Sequence, residues 1–132
     1  MNLSADSLYI QVPFARLDAL LERLVAERLQ PEIGFTGPDL DRVDFDRLDA
    51  IAARLGAAGL RLTVHAPYND LNPGALDPLV ANITAERIRR TLECAARLGA
   101  RLVVVHPGYD PWRYGFHEDL WLERAADFWP PL

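Results

Sequence analysis

The sequence predicts an α/β fold built from four strand–helix units around a parallel sheet. Three observations carry this. Apolar residues alternate repeatedly between a period of two and a period of about 3.6 along the chain. Helical stretches, rather than tight turns, separate the strand-like runs, as parallel strands require. The run RLVVVH over 101–106 is continuously apolar, the pattern of a strand buried on both faces.

The elements follow in order. SLYIQV over 7–12 alternates, with Leu8, Ile10 and Val12 on one face and Tyr9 and Gln11 on the other. Leu17, Leu20, Leu21, Leu24 and Val25 form an apolar stripe in a helix expected over 15–30, which Pro31 should stop. EIGFT over 32–36 reads as a second strand, followed by turn chemistry in GPDLDR. Asp44 is placed to cap a helix over 45–58, and Gly59 to end it in a left-handed conformation. LRLTVH over 60–65 is a third strand, and 66–78 is a long loop rich in Pro, Gly, Asn and Asp. A third long helix should begin near Ile83 or Thr84 and end at Gly99, with Asn82-Ile83-Thr84 as its start. After the fourth strand and the loop PGYDPWRYGF, HEDLWLERAADFW begins a fourth helix.

Composition excludes several classes. The chain has 132 residues, enough for one domain with a real core. Its 14 basic residues, all Arg, face 19 acidic ones, for a net charge of −5. That balance argues against nucleic acid as a partner, since phosphate contacts need clustered cations. A single cysteine, Cys94, rules out an internal disulfide framework and reads as a small core residue. No apolar run is long enough for a membrane helix, and MNLSADSLYI lacks the marks of a signal peptide. A cytoplasmic protein with no membrane partner is expected.

Strand parity locates the chemistry. If Leu62 and Val64 face the helices, Thr63 and His65 face the other way. If Val103 and Val105 face the helices, Leu102, Val104 and His106 do not. By the same parity Gln11 and Thr36 join the two histidines at the carboxyl edge of the sheet. α/β enzymes place their sites along that edge. His65 and His106 are the strongest pair, because imidazole is both a common metal ligand and a proton carrier near neutral pH. The competing reading is that each only hydrogen-bonds loop backbone. Asp70 and Asp110 follow in the two loops as carboxylates that either join the site or form Asx turns. Tyr68 and Tyr109 each lie three residues beyond a histidine, as ligand-orienting hydroxyls or as packing rings. Trp112, Trp121 and Trp129 read as packing residues. Arg87, Arg89 and Arg90, near Glu86 and Glu93, read as a solvated helix face.

VHAPYNDLNPG at 64–74, followed by VVVHPGYD at 103–110, resembles the xylose-isomerase-like TIM-barrel superfamily. That superfamily includes sugar phosphate isomerases and epimerases and the endonuclease IV group. The resemblance implies a (β/α)8 barrel with a divalent metal, zinc, manganese or magnesium, at the carboxyl ends of its strands. It implies catalytic or metal-ligating roles for His65 and His106. Gln11, Tyr68, Asp70 and Tyr109 then stand as candidate substrate contacts for a small sugar or sugar phosphate. Such a barrel typically needs about 250 residues. Residues 1–132 are therefore expected to form one half-barrel domain of four βα units, completed by a homodimer or higher homo-oligomer. An inactive half-barrel and an endonuclease IV-like phosphodiester hydrolase are the alternatives.

Overall fold

A computed structural model of the chain describes residues 8–132. The elements are β1 (Tyr9–Pro13), α1 (Leu17–Ala26), β2 (Gln30–Gly34), α2 (Gly37–Asp41), α3 (Phe45–Ala57), β3 (Thr63–His65), α4 (Pro78–Leu98), β4 (Val103–Val104) and α5 (Glu118–Phe128). A 3-10 turn over Phe14–Arg16 leads into α1. The four strands form one parallel sheet in the order β1-β2-β3-β4. This is the α/β architecture the sequence predicts.

Burial fixes the register. Val12 lies opposite Ile33, Ile33 opposite Val64, and Val64 opposite Val103. Val12, Ile33 and Val64 are almost fully buried, and Val103 packs against the same core. Leu48, Ile51 and Leu55 of α3 meet them, with Cys94, Ala95 and Leu98 of α4. Leu17 and Leu24 complete the core from α1. Arginine also packs apolar surface: the guanidinium groups of Arg90 and Arg97 lie 4.4 and 4.3 Å from the centre of the Phe45 ring, joining α3 to α4.

Helix ends follow local chemistry. The Asp44 side chain accepts from the Asp46 and Arg47 amides, as expected. Gly59 (φ +68°) and Gly99 (φ +66°) take the left-handed conformation that ends α3 and α4. Other boundaries differ from expectation. α1 stops at Ala26, because the chain reverses at Arg28 (φ +53°). Pro31 therefore stops no helix; it is buried in β2, just before the β2–β3 ladder begins at Glu32, where its missing N–H removes no ladder bond. GPDLDR forms the short helix α2, and Thr36, expected at a strand end, is instead its N-cap in a capping box with Asp39. α4 starts at Pro78, capped by Asp77, five residues before the expected start. Thr84 is thus a buried helix-interior residue whose hydroxyl donates to the Val80 carbonyl at 2.7 Å. β3 and β4 are shorter than expected. Trp112 does not pack into the body; it is 83% exposed, with only an edge contact to Phe116. The start of the first expected strand, Ser7, lies outside the described residues.

Two outcomes follow. Leu55→Ala should lower unfolding free energy by about 2–5 kcal/mol in urea titrations, since the fully buried leucine leaves a cavity between α3 and the sheet. Burial pushes the Cys94 thiol above its ordinary pKa. It should therefore react with a thiol reagent at neutral pH only as fast as the protein unfolds, and rapid labelling of the native protein would contradict this packing.

Candidate functional site

The register that buries Val64 turns its neighbours to the opposite face. Pro13, Gly34, His65 and Val104 lie side by side there, near the carboxyl ends of the strands. One residue pair below, Gln11, Glu32 and Thr63 form the next row. The Thr63 hydroxyl donates to Glu32 Oε2 at 3.3 Å, and Thr63 is buried. Leu102, by contrast, is 57% exposed on this face. Gly34 leaves room for a neighbour: a Cβ there would lie 3.7 Å from Gln11 Nε2.

The two histidines meet. His106 Nε2 lies 3.1 Å from His65 Nε2. His65 Nδ1 is 3.0 Å from the Ala66 carbonyl, which can only accept, so Nδ1 carries the proton. In the neutral ring this leaves the lone pair on His65 Nε2, facing His106 Nε2 as the donor. Tyr68 stacks on His106 with centroids 4.3 Å apart and meets His65 edge-on at 5.6 Å. Beside the pair is a cavity of about 560 Å³ lined by Gln11, Thr36, His65, Tyr68, Asp70 and Arg87, among others. Asp70 stands at a left-handed turn (φ +61°) on the loop after β3.

The other candidates are engaged elsewhere. Tyr109 stacks on Tyr114 at 6.0 Å and tilts against Trp121 at 5.3 Å. Desolvation, with the nearby Glu118 and Asp110 carboxylates, raises its phenol above the ordinary value. Asp110 forms an Asx turn, accepting from the Trp112 amide at 3.0 Å, and pairs with Arg113. His117 is exposed at the start of α5.

Three contributors were not legible as such. Glu32 shares the parity of Thr36 and so belonged to the inner face. Arg87 reads as a solvated helix residue, yet α2 folds over it: it pairs with both Asp41 carboxylate oxygens and reaches the cavity. Asn72 is the third. Its side-chain oxygen accepts from the Gly74 amide at 3.0 Å and the Trp121 indole at 3.2 Å. Its amide nitrogen donates to the Tyr114 hydroxyl, which donates to the Gly74 carbonyl at 2.9 Å. One buried amide thus ties the loop after β3 to the loop after β4 and to α5.

Imidazole nitrogens suit zinc, and a Nδ1–H bond to a carbonyl is the usual support for a metal-bound histidine. A cation replacing the shared proton would meet both Nε2 lone pairs. A catalytic zinc takes about three protein ligands. Among the described residues no group of three His, Cys, Asp or Glu converges. The pair therefore fits two positions of such a shell. Among the described residues no helix is long and apolar enough to cross a membrane.

A family model described as xylose isomerase-like TIM barrel matches residues 30–130. Two uncharacterized proteins of Methanocaldococcus jannaschii are similar: MJ1311, 46% identical over 52 residues, and MJ1614, 33% identical over 61. Those segments span 39% and 46% of this chain but 18% and 24% of the relatives. Among solved structures, a D-tagatose 3-epimerase-like protein superimposes with a TM-score of 0.72 at 26% identity, over 91% of this chain and 45% of that one. The TTHB071 protein of Thermus thermophilus, soaked with zinc chloride, gives 0.64 at 26% identity, over 91% and 52%. Endonuclease IV of the same organism gives 0.56 at 23% identity, over 89% and 46%, a likeness of fold. The chain spans about half the length of these structures.

Asn72→Ala should cost about 1–3 kcal/mol in urea unfolding, because it strands buried polar groups of Tyr114, Trp121 and Gly74. Tryptophan emission should shift red as Trp121 loosens. A change below about 0.5 kcal/mol, the size of an ordinary surface substitution, would show that the network does not hold the loops.

Proposed function

We propose, from the premise that the chain belongs to the xylose isomerase-like TIM barrel family, that it supplies part of a metal-dependent isomerase or epimerase site for a small sugar or sugar phosphate. The observation that carries this reading is the Nε2–Nε2 contact of His65 and His106 beside a cavity that Gln11, Asp70 and Arg87 help to line. The resemblance of the fold to an epimerase-like structure supports it.

His65 and His106 would hold a divalent ion through their Nε2 atoms. Bound there, such an ion would supply Lewis-acid polarisation of a sugar oxygen, which would ease loss of a neighbouring proton. The chain's own residues do the rest. The Ala66 carbonyl fixes the His65 tautomer, so its Nε2 lone pair stays available for metal or proton. Tyr68 holds the His106 ring by stacking and lines the cavity. Gln11, with one acceptor and two donors, suits sugar hydroxyls. Asp70 is the nearest loop carboxylate lining the cavity, placed to orient a hydroxyl or accept a proton. Tyr109 belongs to the aromatic packing and takes no part. The net charge of −5 disfavours a DNA phosphodiester as substrate. A cytoplasmic setting belongs to the same reading.

Titration of the metal-free protein with zinc or manganese should show one class of site. His65→Ala and His106→Ala should each weaken it at least about tenfold, in line with the loss of a metal ligand or its support. Gln11→Ala should leave metal affinity unchanged and raise KM for any sugar turned over. Metal binding indifferent to both histidine substitutions would overturn the reading.

A further inference from the structure

Arg87 of α4 lines two hollows of the surface. One is a groove between α2 and α4 that Asp41 also lines. The other is the cavity beside the histidines, which Arg87 lines and Asp41 does not. The side chain is 21% exposed, and one edge of it is committed: Nη1 and Nη2 each donate to one Asp41 carboxylate oxygen, the second at 3.1 Å. A guanidinium carries five N–H groups in one plane. Two of them go to Asp41, and among the described residues the Nε–H takes no hydrogen-bond partner. The atoms nearest to where a Gly37 Cβ would sit are Nε at 3.6 Å, Cζ at 3.8 Å and Nη2 at 3.9 Å. The Nε–Nη2 edge thus lies beside Gly37, which lines the cavity too and puts no side chain over it.

We infer that Arg87 binds the hydroxyl groups of an uncharged sugar: its Nε–H and remaining Nη2–H take two neighbouring sugar oxygens, while Asp41 holds the guanidinium by its other edge. This rests on the isomerase or epimerase reading above, and it narrows the substrate class to a neutral sugar rather than a sugar phosphate. Geometry supplies the first half of the argument. Two parallel N–H donors on one rigid edge match a pair of acceptor oxygens. Adjacent hydroxyls and a phosphate both offer such a pair, and charge separates them. Asp41 already balances the guanidinium, and Asp70 adds a carboxylate to the cavity lining. A phosphate would meet a neutralised arginine and a like charge there, and it would lose far more hydration than a hydroxyl does. His65 lines the same cavity of about 560 Å³, so one small sugar can lie against both side chains.

Proton–nitrogen spectra of the metal-free protein test this, titrated separately with D-xylose, D-fructose and inorganic phosphate. The Arg87 Nε–H signal, assigned through bonds, should move with the sugars and stay in place with phosphate at equal concentration. Arg87→Lys keeps the charge and removes the planar fork. It should raise the sugar dissociation constant at least about tenfold, the worth of one charge-assisted hydrogen bond, read at the Gln11 side-chain amide and with zinc affinity unchanged. Asp41→Asn uncovers the positive charge and should let phosphate move the Nε–H signal. A signal that no sugar moves would overturn the inference, even in a protein whose histidines hold zinc. So would a stronger response to phosphate than to sugar in the unaltered chain. A sugar response that survives while zinc binding proves indifferent to the histidines would uphold Arg87 and count against the metal reading alone. Should Arg87→Lys fail to fold, the Nε–H titration of the unaltered chain still decides.

Discussion

The parallel ladder Val12–Ile33–Val64–Val103 is the constraint on which the rest depends. Side chains alternate strictly along a strand, so burying this row against α1, α3 and α4 leaves one register available. A slip of one residue would move His65 into the core and Val64 into water. The apolar face therefore positions the polar one. His65 lies beside Gly34 and Val104 because Val64 has to be buried, and His106 follows from the same rule two residues beyond Val104.

Parallel pairing adds a second consequence. Each strand must return through a helix, so all carboxyl ends and the loops behind them gather at one edge. The two long loops, after β3 and β4, meet there. Asn72 joins them through partners 42 and 49 residues away, and a Cβ on Gly74 would overlap the Trp121 indole at 2.2 Å. Gly108 (φ +75°) brings the β4 loop against Asn72 and Pro73, leaving 3.0 Å to a Cβ in its place. The histidine contact is thus held from below by the sheet and from the side by a locked pair of loops.

Much of this was legible in the sequence. Period and parity give the strands, the helices and the inward face of both histidines, because these depend on neighbours in the chain. Gln11, Tyr68 and Asp70 were legible as residues at the carboxyl edge. For Tyr109 the sequence left a ligand contact and a packing ring open, because its distance from His106 says nothing about the indole that α5 folds against it. Arg87 was misread because its helix face looks solvated until α2 closes over it through Asp41. The start of α4 was missed although Asp77-Pro78 is ordinary helix-start chemistry, because the apolar stripe begins later than the helix does.

The central claim is that the apolar ladder places two imidazoles where they can hold one cation. Zinc X-ray absorption of the reconstituted chain tests it most directly, since it reads the ligands themselves. The account predicts imidazole nitrogens from two histidines at about 2.0–2.1 Å. A shell made only of oxygen ligands, or zinc that washes away entirely, would contradict it.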